Sequence, residues 1–285
     1  MELELNKKAE IYIPYGKTKE EAFKRTTVLA ISAHEDDIEL FAAAPIVECL
    51  HSQDKWFSGV VSTDGANSPR SGAYANCSSE EMIRIRAEEQ KEAARVGRYS
   101  FMGLLNYSSA EVKDPSNRSP IEDYKKLIRA SHPKIIYTHN LADKHDTHVA
   151  TVIKVLTALR ELPPNERPQK VYGCEVWRDL DWLMDEDKVI LNIQGEEKLT
   201  SYLIDLFKSQ IEGGKAYGEA IRGRRKANAT FSASHAVDSY KEINYAMDLT
   251  PLMENKELDL FEYVDSYLER TREDIKKRIF TMEGK

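Results

Sequence analysis

The chain has 285 residues and a net charge of −7, with 41% apolar and 31% charged residues. That length suits one large domain or two small ones, with a core that needs no disulfide staples. The acidic balance argues against a nucleic-acid partner, which favours a basic face.

Residues 1–26 are charged and irregular, an N-terminal extension expected to pack on the main body. They hold no apolar core of signal-peptide length. Thr27 to Ala33 is a short apolar run, the pattern of a strand buried on both faces, and His34-Glu35-Asp36-Asp37 follows directly. Pro45 suits the first turn of a helix running to about Leu50. Trp56–Thr63 reads as a second strand ending in Asp64-Gly65, and the Ser-, Gly- and Asn-rich stretch Asn67–Ser79 as a long loop. Ser78 or Ser79 caps a helix over Glu80–Val96, closed by Gly97. A third strand is predicted over Tyr99–Leu105, a helix over Ile121–Ser131 and a fourth strand over Lys134–Thr138. After the loop His139–His145 comes an apolar-periodic helix, Thr147–Leu159. The turn at 162–169 precedes a strand over Val171–Val176.

Beyond that the pattern loosens. A strand (Val189–Ile193), a helix (Glu196–Ser209) and a Gly-rich stretch at Gly213-Gly214 lead to a final helix, in which Phe261, Val264, Leu268, Ile275 and Ile279 share one face. Strands alternating with helices imply a mainly parallel sheet in a Rossmann-like, three-layer α/β fold with C-terminal α/β additions. The core is read as 27–180. Residues 181–285 are additions, within one structural domain, that wall the site or bind a partner subunit, which leaves a homo-oligomer open. Cys49, Cys77 and Cys174 are widely spaced and odd in number, reading as reduced thiols of the cytoplasm. No apolar run of about 18 residues could span a membrane.

In an open parallel sheet, ligands bind outside the carboxyl ends of the strands. The first predicted strand delivers His34, Asp36 and Asp37 to that edge, and the fourth delivers His139, His145 and His148. A catalytic zinc takes three protein ligands and leaves a position open; His34, Asp37 and His148 supply two imidazoles and a carboxylate. Asp36, beside a ligand, is the expected general base. His145, three residues before His148, is expected to stabilise the oxyanion or protonate the leaving amine. His139 lies nearer the strand end and is the weaker candidate ligand. Two histidines and one carboxylate suit iron(II) as well as zinc.

Ala33-His34-Glu35-Asp36-Asp37-Ile38-Glu39 after an apolar strand resembles the Ala-His-Pro-Asp-Asp-Glu signature of the LmbE-like (PIG-L) deacetylases. Arg86-Ala87-Glu88-Glu89, with Ala93 and Gly97, is similar to that family's Arg-x-x-Glu helix, and His145-x-x-His148 after a strand is a third match. With Thr63-Asp64-Gly65 these cover roughly residues 27 to 160 in the family's order. The resemblance implies a zinc-dependent N-deacetylase, a hydrolase of linear amide C–N bonds acting on a glucosamine-containing substrate. By the same resemblance His34, Asp37 and His148 match the metal ligands, Asp36 the base and His145 the histidine supporting the tetrahedral intermediate. Arg86 matches an arginine near the substrate, although a helix-surface ion pair with Glu88 or Glu89 explains it equally well. Asp64, Trp177 and Arg178 complete the substrate-binding candidates.

There are departures from the family pattern. Glu35 replaces a proline, a change expected to affect loop stiffness rather than chemistry. Phe41-Ala42-Ala43-Ala44 lacks glycine. Thr147 stands where many members have an aspartate, leaving Asp146 or Asp143 to orient an imidazole. Asn106 occupies a position where an acid is expected. The cluster Arg222-Gly223-Arg224-Arg225-Lys226 reads as an anion site or, more simply, a solvated helix face; His235 is a further candidate for the site. Two other functions fit the sequence: an amidase with a non-sugar N-acyl substrate, and a non-catalytic nucleotide- or sugar-binding module. No Gly-x-Gly-x-x-Gly follows the first strand to support the last.

Overall fold

A computed structural model describes residues 3–193, 195–232 and 236–285. Its centre is set by the most apolar segment of the sequence. Strand β2 (Val28–Ser32) is buried at all five positions, with Leu29 and Ile31 in one hydrophobic cluster and Val28 and Ala30 in another. Side chains alternate across a strand, so these clusters are the two faces of a central sheet. Parallel partners flank β2 on both sides: β3 (Phe57–Thr63), and β5 (Ile135–His139). Beyond β3 lies β4 (Met102–Tyr107), and beyond β5 lies β6 (Lys170–Cys174), both parallel.

Antiparallel strands complete both ends. The N-terminal segment adds β1 (Glu10–Tyr12) against β4, so residues expected to be irregular extend the sheet. At the other end β8 (Ile243–Asp248) inserts between β6 and β7 (Val189–Asn192). Among the described residues the eight strands form one sheet in the order β1-β4-β3-β2-β5-β6-β8-β7. Helices α1 (Lys19–Arg25), α6 (Ser119–Ser131) and α7 (Asp146–Glu161) cover one face. The other is covered by α2 (Asp37–Phe41), α3 (Ala43–Leu50) and α4 (Ser79–Val96). The short α5 (Ser109–Lys113) follows β4. This is the three-layer α/β fold expected.

Three sequence readings shift for visible reasons. Strand β4 starts three residues later than expected because Tyr99 turns under the end of α4, its amide donating to Ala94 O at 2.9 Å. Gly97 is needed there for space: an added Cβ would lie 2.5 Å from the Tyr99 ring. The expected helix Glu196–Ser209 is two, α8 (Glu197–Asp205) and α9 (Lys208–Ile211). Glu89 of α4 accepts the Ser209 amide at 2.7 Å, anchoring the second piece separately. The loosely patterned C-terminal region contains α10 (Tyr217–Phe231), β8 and α11 (Thr250–Glu254), none of them anticipated, before the long α12 (Leu260–Glu283).

The basic cluster on α10 divides: Gly223 and Lys226 are exposed, as a solvated face would have them, while Arg224 and Arg225 turn inward. Arg225 is fully buried and donates to the carbonyls of Glu39 and Leu40, both at 3.0 Å, satisfying the end of α2. Arg224 donates to Val176 O. Among the described residues no helix is long and apolar enough to cross a membrane.

Candidate active site

The chain runs outward from β2 to β3 and β4, then returns to the opposite side of β2 for β5 and β6. The crevice between β2 and β5 is therefore the topological switch point, where open α/β sheets bind ligands. Both expected clusters arrive there. His34 to Asp37 leave the carboxyl end of β2, while β5 leads through His139 into the start of α7, which carries His148. Two sets of donor atoms lie within 4.8 Å of one another, His34/His145/His148 and Asp37/His139/His148, with His148 common to both.

Close contacts also join members of the two sets. His34 Nδ1 lies 3.2 Å from Asp37 Oδ2 and 3.2 Å from His148 Nε2, and His148 Nε2 lies 3.3 Å from Asp37 Oδ1. Tetrahedral zinc, with bonds of about 2.0–2.1 Å, separates neighbouring donors by about 3.3 Å. His34 and His148 thus face different oxygens of Asp37, at separations suited to ligands of one divalent cation. His139 is committed elsewhere: its Nε2 accepts the Ala33 amide at 2.9 Å, and burial pushes the imidazole down to about 4. It lies behind Asp37, 3.4 Å from Oδ2.

His148 is oriented by Asp143, whose Oδ2 is 3.2 Å from Nδ1. A carboxylate on the remote nitrogen turns Nε2 toward the cluster and fixes its tautomer. Asp143 is held in turn by the amides of Lys144, His145 and Trp177. It thus occupies the orienting role that Thr147 cannot fill; Asp146 is exposed. Burial opposes charge on His148, yet Asp37 and Asp143 outweigh it and hold the imidazolium up to about 9.

Asp36 faces away from Asp37. Its φ of 89° lies in a region that costs a non-glycine residue about 1–3 kcal/mol, and two residues of α4 hold it there. Gln90 Oε1 accepts its amide at 3.1 Å, and Arg86 donates to Oδ2 at 3.2 and 3.3 Å. Burial raises the Asp36 carboxyl to about 8 against the pull of Arg86. Arg86 is itself buried and makes no surface pair with Glu88 or Glu89. It also donates to Glu35 O, and its Nε lies 3.5 Å from Glu35 Oε2. Glu35 is therefore more than a stiffness change in the loop, since it supplies a second buried carboxylate to the same guanidinium. Gly65, at φ +68°, makes room for it: an added Cβ would lie 2.8 Å from Glu35 Oε2.

A cavity of about 570 Å³ opens above this floor, lined by His34, Asp36, Asp37, Arg86, His145 and Trp177 among others. His145 stacks on His148 with ring centroids 4.5 Å apart, and burial pushes its imidazole down to about 4. Tyr217 meets Trp177 edge-on at 6.0 Å, and Lys215 sits 5.1 Å from the Trp177 ring. Lys113 and Lys144 also line the cavity, so that three lysines share its wall with the carboxylates of Asp36 and Asp37. Two substrate candidates fall outside. Arg178 is exposed and lines no part of this cavity, and Asp64 shapes the loop beside it by accepting the Ala66 amide at 3.1 Å. Asn106, with φ of 54°, anchors the N-terminal segment through Lys8 O at 2.8 Å. His235 lies outside the described residues.

Sequence reasoning missed Gln90, Lys215 and Tyr217. Gln90 carried a signal, being four residues after Arg86 and so on the same face of α4. The other two lie in the region whose elements were not anticipated.

Fold and site together define a three-layer α/β protein with a histidine–aspartate centre at the carboxyl edge of its parallel sheet. The family model described as PIG-L, GlcNAc-PI de-N-acetylase, matches residues 29–159, which contain that centre. Over 146 residues the chain is 32% identical to a protein described as uncharacterized deacetylase YaiS of Escherichia coli, spanning 50% of this chain and 72% of that one. The chain belongs to the PIG-L, or LmbE-like, deacetylase family. Among solved structures it is similar to the N,N'-diacetylchitobiose deacetylase of Pyrococcus horikoshii. That match has a TM-score of 0.62 and 18% identity, covering 81% of this chain and 86% of the other. A 4-carboxy-2-hydroxymuconate hydratase of Pseudomonas putida matches with a TM-score of 0.61 and 15% identity, covering 79% and 96%. At such identities these two likenesses establish the fold.

Proposed function

We propose that the chain is a metal-dependent N-deacetylase that hydrolyses the acetyl amide of a small, sugar-like molecule. The observation that carries this reading is the cluster of His34, Asp37 and His148 donors, with His34 and Asp37 lining the cavity beside Asp36 and His148 buried behind them. A divalent cation held by these three residues, zinc by family resemblance and iron(II) by the same donor chemistry, would polarise the acyl carbonyl and lower the pKa of water toward neutrality.

The remaining work falls to the chain's own groups. Asp36, aimed by Gln90 and Arg86, takes a proton from the attacking water and returns one to the leaving amine. Water adds to the carbonyl carbon, which becomes tetrahedral; as the C=O bond re-forms the C–N bond breaks, releasing acetate and the free amine. His145, on the cavity side of His148, supports the developing oxyanion. Trp177 and Tyr217 offer an aromatic wall for a sugar ring. Three free thiols suit the reducing cytoplasm.

The test measures metal content and amine release for the wild type, His34→Ala and Asp36→Asn, on a panel of N-acetyl sugars and non-sugar N-acetyl amines. The expected result is about one cation per chain, lost with activity in His34→Ala. Asp36→Asn should keep the cation while activity falls about 10²–10⁴-fold, the usual contribution of a positioned base. A wild type that takes up neither zinc nor iron(II), or a fully active Asp36→Asn, overturns the reading. Preference for non-sugar amines would keep the chemistry and change the substrate class.

A further inference from the structure

Helix α12 is 24 residues long, about 36 Å at 1.5 Å per residue. Its body-facing side is polar and aromatic. Tyr263 donates to Asp248 O at 2.7 Å, Tyr267 is buried, and Thr271 donates to Trp182 O at 2.8 Å. From Ile275 onward every residue is exposed.

The apolar residues lie elsewhere. Phe261, Leu268, Ile275 and Met282 recur at seven-residue intervals and are 68%, 47%, 53% and 83% exposed. Val264 and Ile279 fall within the same arc. At about 100° per residue the six span roughly 60°, about a quarter turn from the side that meets the body. A narrow stripe with a seven-residue repeat is the seam of a coiled coil, and it matches another helix better than a flat surface.

We propose that this stripe pairs with the same stripe of a second copy of the chain, antiparallel, about a two-fold axis near Thr271 and Arg272. The pattern reads alike in both directions. About that point Phe261 faces Met282 of the second copy, Val264 faces Ile279, and Leu268 faces Ile275. An isologous two-fold interface requires this self-complementarity. Charge points the same way. One flank of the stripe carries Asp265 and Glu269 in the first half and Arg272 and Lys276 in the second. In an antiparallel pair, like flanks meet, so Asp265 comes opposite Lys276 and Glu269 opposite Arg272. A parallel pair would set this flank against the opposite one, losing both matches.

Sedimentation equilibrium of the full chain at micromolar concentration tests this. The wild type is expected at twice the mass of one chain. Leu268→Glu with Ile275→Glu should halve that mass while leaving the circular dichroism unchanged. Asp265→Lys should weaken association at least tenfold, and adding Lys276→Asp should restore it. Orientation is tested in a Cys77→Ser background under mild oxidation: mixed Leu268→Cys and Ile275→Cys chains should cross-link, and neither should do so alone. A monomeric wild type, a mass unchanged by both glutamates, or efficient cross-linking of each cysteine variant with itself overturns the proposal.

Discussion

Arg86 stands between the carboxylates of Glu35 and Asp36, with all three side chains out of water. A buried ion pair adds little over an apolar substitute, but removing one partner leaves charge stranded and costs about 3–5 kcal/mol. Arg86→Ala is therefore expected to lower stability by about that amount in urea unfolding. A loss below about 1 kcal/mol, the range of exposed pairs, would mean the guanidinium is not the carboxylates' main partner. The same cluster explains the strained backbone of Asp36. Gln90 on its amide and Arg86 on its carboxylate hold it in a conformation a free loop would leave, which keeps it turned from Asp37. At this scale the candidate ligand residues were legible because strand exits and histidine spacing are local. Asp143 was legible only as one of two options, since which carboxylate reaches His148 depends on how the loop before α7 turns.

Helix α4 connects that cluster to the rest of the fold by spacing three residues along its length. Arg86 and Gln90 face Asp36 and Glu39, while Glu89 reaches across to Ser209. Its start is fixed by a capping box: Ser78 Oγ accepts the Glu81 amide at 3.1 Å, and Glu81 accepts the Ser78 amide at 2.8 Å. Ser78→Ala should cost about 1 kcal/mol, read as a lower urea midpoint at unchanged slope, with activity retained below the transition. Activity lost in step with the cap would mean that fraying reaches Arg86, two turns away. Helix α12 teaches the opposite lesson about elements. Its apolar periodicity was plain in the sequence, and periodicity identifies a face without saying what covers it. Here the covered side is the tyrosine side, and the apolar stripe looks outward.

Across the whole molecule, burial sorts the three cysteines. Cys174 is fully buried at the end of β6, and Cys49 lies on the buried side of α3, its thiol pushed up to about 12 by burial and then by Glu48. Only thiolate reacts, so in the native protein at pH 8 Cys77 alone should react quickly with a disulfide reagent. Cys77→Ser should abolish that phase, and denaturant should release all remaining thiols. Fast native labelling of Cys49 or Cys174 would contradict the packing described. By itself the sequence determined the parallel core, the arrival of His34, Asp37 and His148 at its carboxyl edge, and the boundaries of α3, α4, α6 and α7, though not α1, α2 or α5. Each of these follows from local patterns: apolar runs, caps and turn residues. Only the tertiary structure decided that β1 and β8 extend the sheet, that Arg225 is buried under α2, and that Tyr217 and Lys215 wall the cavity. The physical reason is that antiparallel edge pairing and long-range burial of a charged side chain depend on partners distant in the chain. Arg225 and its carbonyl acceptors on α2 are separated by 185 and 186 positions.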